Sequence, residues 1–110
     1  MKKSPQADSA RHRSRLRFET LNAFVDRGIV DGKLNPSDVA VWLTLYRHAG
    51  PDGIVKITVQ TIQRSTGLAR RTVLLSLKRM RTARMLRTVK RGGLNQGASR
   101  HAIFPYPMGA

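Results

Sequence analysis

No acidic residue follows Asp52: residues 53–110 hold twelve Lys and Arg and not one Asp or Glu. A segment with no negative charge of its own cannot neutralise its cations internally, so this half is suited to a polyanionic partner. The six acids, Asp8, Glu19, Asp26, Asp31, Asp38 and Asp52, lie among nine basic residues in the first 52 positions, so twelve of the fifteen net positive charges belong to the second half. Paired-carboxylate chemistry is excluded there, and His12, His48 and His101 are too scattered for a metal site or a general base in a cleft. The expectation is a binding protein and not an enzyme, with no cofactor and no small-molecule substrate. Cysteine is absent as well, which rules out disulfides and thiolate zinc sites and suits a reducing compartment. No window approaches a membrane span. The start, Met1 to Asp8, runs into Arg11, Arg13, Arg15 and Arg17 instead of an apolar stretch, unlike a secretory signal. A cytoplasmic, nucleoid-associated protein is therefore expected, with nucleic acid as the partner and an anionic membrane surface or an acidic protein as the less favoured alternatives.

The chain has 110 residues and 40% apolar content, room for one domain with a modest core. Residues 1–14 lack apolar periodicity and are rich in Ser, Lys and Arg, which predicts a disordered basic arm. From Leu16 the positions Leu16, Phe18, Leu21, Phe24 and Val25 recur at helical spacing, with Gly28 as a stop. The clearest start signal is Asn35-Pro36-Ser37-Asp38: an N-cap, a proline at N1 and an acid at N3 near the positive helix end. A helix from Pro36 to about Ala49 is predicted, with Trp42 as a core anchor. Ile54 to Ile57 reads as a short strand, Thr58 as the cap of a helix over 59–65, and residues 69–82 as a further helix after Gly67. Residues 85–90 and 100–104 read as two strands around a glycine-rich loop, with Pro105 and Pro107 ending the second. The domain is expected over 15–105, followed by a short tail at 106–110.

In Ile62, Gly67, Leu68, Arg70, Arg71, Thr72, Val73, Leu77, Met80, Met85 and Leu86, the segment 59–86 resembles the winged helix-turn-helix family of bacterial DNA-binding proteins, of the MarR-like or replication-associated kind. The resemblance implies an α+β fold, mainly helical, with a short strand and a C-terminal two-stranded wing hairpin. Ala69 stands where the family usually has a Ser or Thr cap, and Arg84 where glycine normally ends the helix.

By the same resemblance, helix 69–82 enters the major groove and the wing, 85–104, grips phosphates. The candidate DNA-binding residues are Arg70, Arg71, Thr72, Leu74, Lys78 and Arg79 on the helix, with Lys90, Arg91, Gly92, Gly93 and Arg100 on the wing. Arg70 and Arg71 open their helix, where positive charge is unfavourable by a few tenths of a kcal/mol, so their placement argues for a ligand. Arg79 reads equally well as solvated surface, and Leu74 and Leu75 either meet thymine methyl groups or help close the core. Double-stranded DNA is the implied partner and transcriptional regulation the implied role. Plasmid or phage replication initiation or partition, and a sequence-tolerant DNA-coating or protein-docking module, are the alternatives. Oligomeric state is open, a homodimer through Phe18 and Phe24 being one option.

Overall fold

The computed structural model describes residues 5–92 and 97–108. Its elements are a long first helix, α1 (Pro5–Ala23, continued by Phe24–Gly28 and Ile29–Asp31), then α2 (Pro36–His48), β1 (Ile54–Ile57), α3 (Val59–Thr66), α4 (Arg70–Thr82), β2 (Leu86–Lys90) and β3 (Ser99–Ile103). The three strands form one antiparallel sheet in the order β1-β3-β2. No described helix is long and apolar enough to cross a membrane.

Helix α1 departs from the sequence expectation at both ends. Among the described residues it runs in α form over Pro5–Ala23, and so through residues 5–14 of the segment expected to be a disordered arm, whose residues 1–4 lie outside the described residues. Residues 11–19 are all exposed, so this stretch is helical with none of its residues in the core, in keeping with the Ala, Gln and Arg content of 6–15. At the other end the helix does not stop at Gly28. It continues through a π-helical turn, Phe24–Gly28, and a last α-helical turn, Ile29–Asp31. Gly28 serves close approach instead: a Cβ there would lie 1.9 Å from the carbonyl oxygen of Pro105, so only glycine lets the C-terminal segment cross the helix.

Helix α2 begins as its sequence signals predict. The Asn35 side chain accepts from the Asp38 amide at 2.9 Å, and Asp38 Oδ2 accepts from the Asn35 amide at 3.2 Å, a complete capping box ahead of Pro36. Its inner face carries Val41, Trp42 and Leu45, all fully buried. Trp42 stacks on Phe24 with ring centroids 3.8 Å apart, and its Nε1 donates to the Phe104 carbonyl at 3.0 Å. The indole thus joins α1, α2 and the C-terminal segment and satisfies its own polar atom in doing so. Tyr46 follows in the stack and holds Arg17 over its ring at 4.5 Å, while the Arg17 guanidinium donates to the carbonyls of Tyr46 and Ala49 at the end of α2.

The α3–α4 pair is built from equally local signals. Thr58 caps α3 through its hydroxyl, and Gly67 ends it at φ +75°, a left-handed conformation that explains the glycine although a Cβ would meet nothing there. Ile62 from α3 and Val73, Leu77 and Met80 from α4 enter the common core with Met85, Leu86, Val55 and Ile57. Arg84 ends the turn after α4 with φ +61°, taking the backbone conformation that glycine would hold more cheaply.

Candidate nucleic-acid interface

Helix α4 buries Val73, Ser76, Leu77 and Met80. At about 100° per residue, the opposite face is then Arg71, Leu75 and Lys78 in line, with Leu74 beside them, and all four are exposed. Neither leucine joins the core, which overturns the reading that one of them closes it. Arg70 and Arg71 occupy the first turn, where there is no acid, and the N-cap Ala69 makes no side-chain hydrogen bond. Helices α2 and α3 both have their first amides capped by side chains. Among the described residues, only the start of α4 combines side-chain-uncapped amides with two guanidinium groups, a combination that suits an anion and opposes a cation.

Arg79 belongs to a different contact from the one expected of it. Its Nε donates to both oxygens of the Asp38 carboxylate at 3.0 and 3.1 Å, and Nη2 donates to Oδ1 at 2.9 Å. The carboxylate is fully buried, and the Arg79 side chain is 43% exposed. Burial pushes the Asp38 carboxyl up, but hydrogen bonds from Arg79, Ser76 and the Asn35 backbone, with the Arg79 charge, outweigh it and hold the group below its ordinary value. Arg79 therefore clamps α4 to the start of α2 and leaves the set of free cations. Thr72, half-buried, lies on the same flank of α4. Arg17 over Tyr46 and Arg27, 4.0 Å from the centroid of the Tyr106 ring, are likewise engaged within the fold.

The hairpin adds a feature that one-dimensional reading does not contain. In the sheet register Lys56 of β1 faces Arg100 of β3, and Arg100 faces Lys90 of β2. All three are exposed, so three cations stand in a row across neighbouring strands spaced about 4.8 Å apart. Like charges directly opposite one another destabilise a sheet, and no acid occurs in this half of the chain to offset them. The register shift between Thr88 and Lys90 brings Lys90 opposite Arg100. Lys56 was missed by sequence reasoning because its partner is set by the β1–β3 pairing, about 44 residues along the chain.

The other wing candidates divide. Arg91 is exposed at the loop end of β2. Gly92 donates its amide to Ser99 Oγ at 2.9 Å, and the backbone of residues 97–99 lies against it, so closing the hairpin accounts for it. Gly93 lies outside the described residues. On the core side of the hairpin His101 is buried, with Nδ1 3.1 Å from the Thr88 hydroxyl. Burial, and then the charge of Arg81, push its pKa below the ordinary histidine value.

That shift has a testable sign. A histidine kept neutral in the fold contributes stability that is fully present above its unfolded value of about 6.5 and is lost as pH falls from there towards the folded value. Denaturant midpoints of the parent are expected to drop as pH is lowered below about 6.5. His101→Gln is expected to remove that component while leaving the loss at lower pH that comes from carboxylates.

On the first helix, Phe24 is fully buried and Phe18 is 65% exposed, so Phe24 is not available to a partner. Comparison of the chain with protein-family models, curated proteins and solved structures finds no match.

Proposed function

We infer that this chain is a winged helix-turn-helix module that binds double-stranded DNA, with α4 in the major groove and the β2–β3 hairpin as the wing. The observation that carries the reading is the pairing of two cationic surfaces built wholly from the acid-free stretch 53–110: the Arg70, Arg71 and Lys78 face of α4, and the Lys56–Arg100–Lys90 row of the sheet. Two helices joined at a left-handed glycine, followed by a hairpin in a β1-β3-β2 sheet, fit that layout. An α-helix fits the roughly 12 Å width of the major groove, and the phosphates along its rims suit cations on either side of α4. The role we assign is occupation of an operator, as a transcriptional regulator; association with the nucleoid would follow from it.

Arg70 and Arg71 divide the work by position. Arg71 lies on the outermost stripe of α4 and reaches a base edge, where a guanidinium pairs with the two acceptors of guanine. Arg70 lies about 100° round the helix and meets a phosphate. Arg71→Ala is expected to cost about 1–3 kcal/mol at the preferred site and to relax preference at one base position, whereas Arg70→Ala weakens preferred and random duplexes by similar factors. Both variants are expected to melt like the parent, because both side chains are exposed. Titration of each variant against the two duplexes checks this, and a uniform loss for Arg71→Ala would remove it from base reading.

A further inference from the structure

The outer stripe of α4 alternates charge with hydrocarbon. Arg71, Leu75 and Lys78 follow one another at i, i+4 and i+7, and Leu74 stands alongside. Leu74 and Leu75 retain 42% and 43% of their surface in water. Amphipathic helices ordinarily place polar residues on such a face, and a pair of adjacent leucines leaves there the kind of apolar surface that folding normally buries.

The surroundings restrict what can cover them. Arg70, Arg71 and Lys78 flank the pair, and from residue 53 onward no acid stands among them. An occupant must therefore bring negative charge at its margins and small apolar groups at its centre. The major groove of B-DNA has this pattern: phosphates line its rims, and the C5-methyl of thymine is the apolar group on its floor. An apolar protein surface would supply the centre without the margins.

Resting on the DNA-binding reading above, we propose that Leu75, with Leu74 beside it, reads thymine methyl groups. The preferred site then contains thymines beneath the middle of α4, next to the base pair contacted by Arg71. Selectivity at those positions comes from hydrocarbon contact and not from hydrogen bonds.

The test separates this from DNA binding as such. The full chain is used to enrich a duplex from a random library, and the enriched duplex is resynthesised with deoxyuridine for thymine, which deletes the methyl groups alone. The parent is expected to lose about fourfold in affinity per contacted methyl, the factor that corresponds to about 0.8 kcal/mol for one methylene-sized group. The Leu74→Ala/Leu75→Ala variant is expected to bind both duplexes alike, with an unchanged melting temperature. Equal binding of the two duplexes by the parent would overturn the proposal while leaving the DNA reading standing, as would full methyl discrimination by the double variant. Failure to enrich any sequence would overturn it too. Failure to bind any duplex, together with self-association that the double variant abolishes, would assign the face to a second copy of the chain and end both readings.

Discussion

Replacing Arg79 with methionine is expected to destabilise the fold by about 3 kcal/mol, because it leaves a fully buried carboxylate without its cation. The figure is set at the low end of the usual range because Arg79 itself is partly exposed and water retains some access to the pair. Every hydrogen bond that Asp38 receives from a guanidinium comes from this one residue. With Arg79 gone the burial penalty on the Asp38 carboxyl remains and the largest opposing contribution is lost, so its pKa rises. In the parent the lowered value means stability that is present above about 3.8 and lost as pH falls through the folded value. In the variant that loss begins at a higher pH. Adding Asp38→Ala to Arg79→Met is expected to cost much less than the sum of the single changes, since each already removes the shared contact. Urea unfolding of the four proteins measures the cycle. An Arg79→Met protein as stable as the parent but weaker on every duplex would instead restore Arg79 to the phosphate-binding set.

That pair also shows where sequence reading stops. Signals that act over one helical turn were legible: the Asn35-Pro36-Asp38 box, the Thr58 cap, the left-handed Gly67 and the Val73, Leu77 and Met80 stripe are each found where their spacing predicts. Trp42 as a core anchor was legible for the same reason, since its helix has only one apolar face on which to bury it. Asp38 and Arg79 meet across 41 residues, and nothing local distinguishes Arg79 from its exposed neighbours Arg70, Arg71 and Lys78. Within its own turn Asp38 was already explained as an N3 acid, which concealed the second contact.

The errors at α1 have similar causes. Gly28 carries a stop signal in one dimension, but it is selected by the passage of Pro105 against the helix, and that crossing is a tertiary fact. Residues 5–14 have no apolar stripe in sequence, which removes the signal of a packing face without preventing the backbone from taking helical form, as it does from Pro5 among the described residues. In the candidate site, the helix face was legible from the wheel, whereas the exposure of Leu74 and Leu75 needed the packed fold, in which neither joins the core. The Lys56–Arg100–Lys90 row needed the strand register, including the shift between Thr88 and Lys90.

The most direct test of the central reading is the dependence of duplex affinity on salt. Arg70, Lys78, Lys56, Lys90, Arg91 and Arg100 are cations that no internal acid holds among the described residues, and they provide for about six phosphate contacts. Each neutralised phosphate releases counterions and contributes about −0.9 to the slope of log K against log salt. The full chain, titrated against a duplex between 50 and 200 mM salt, is expected to give a slope near −5, an affinity loss of about 10³ over that fourfold range. A slope shallower than about −2, or no binding at the lowest salt, would contradict the DNA-binding reading and assign the cationic face to a protein partner.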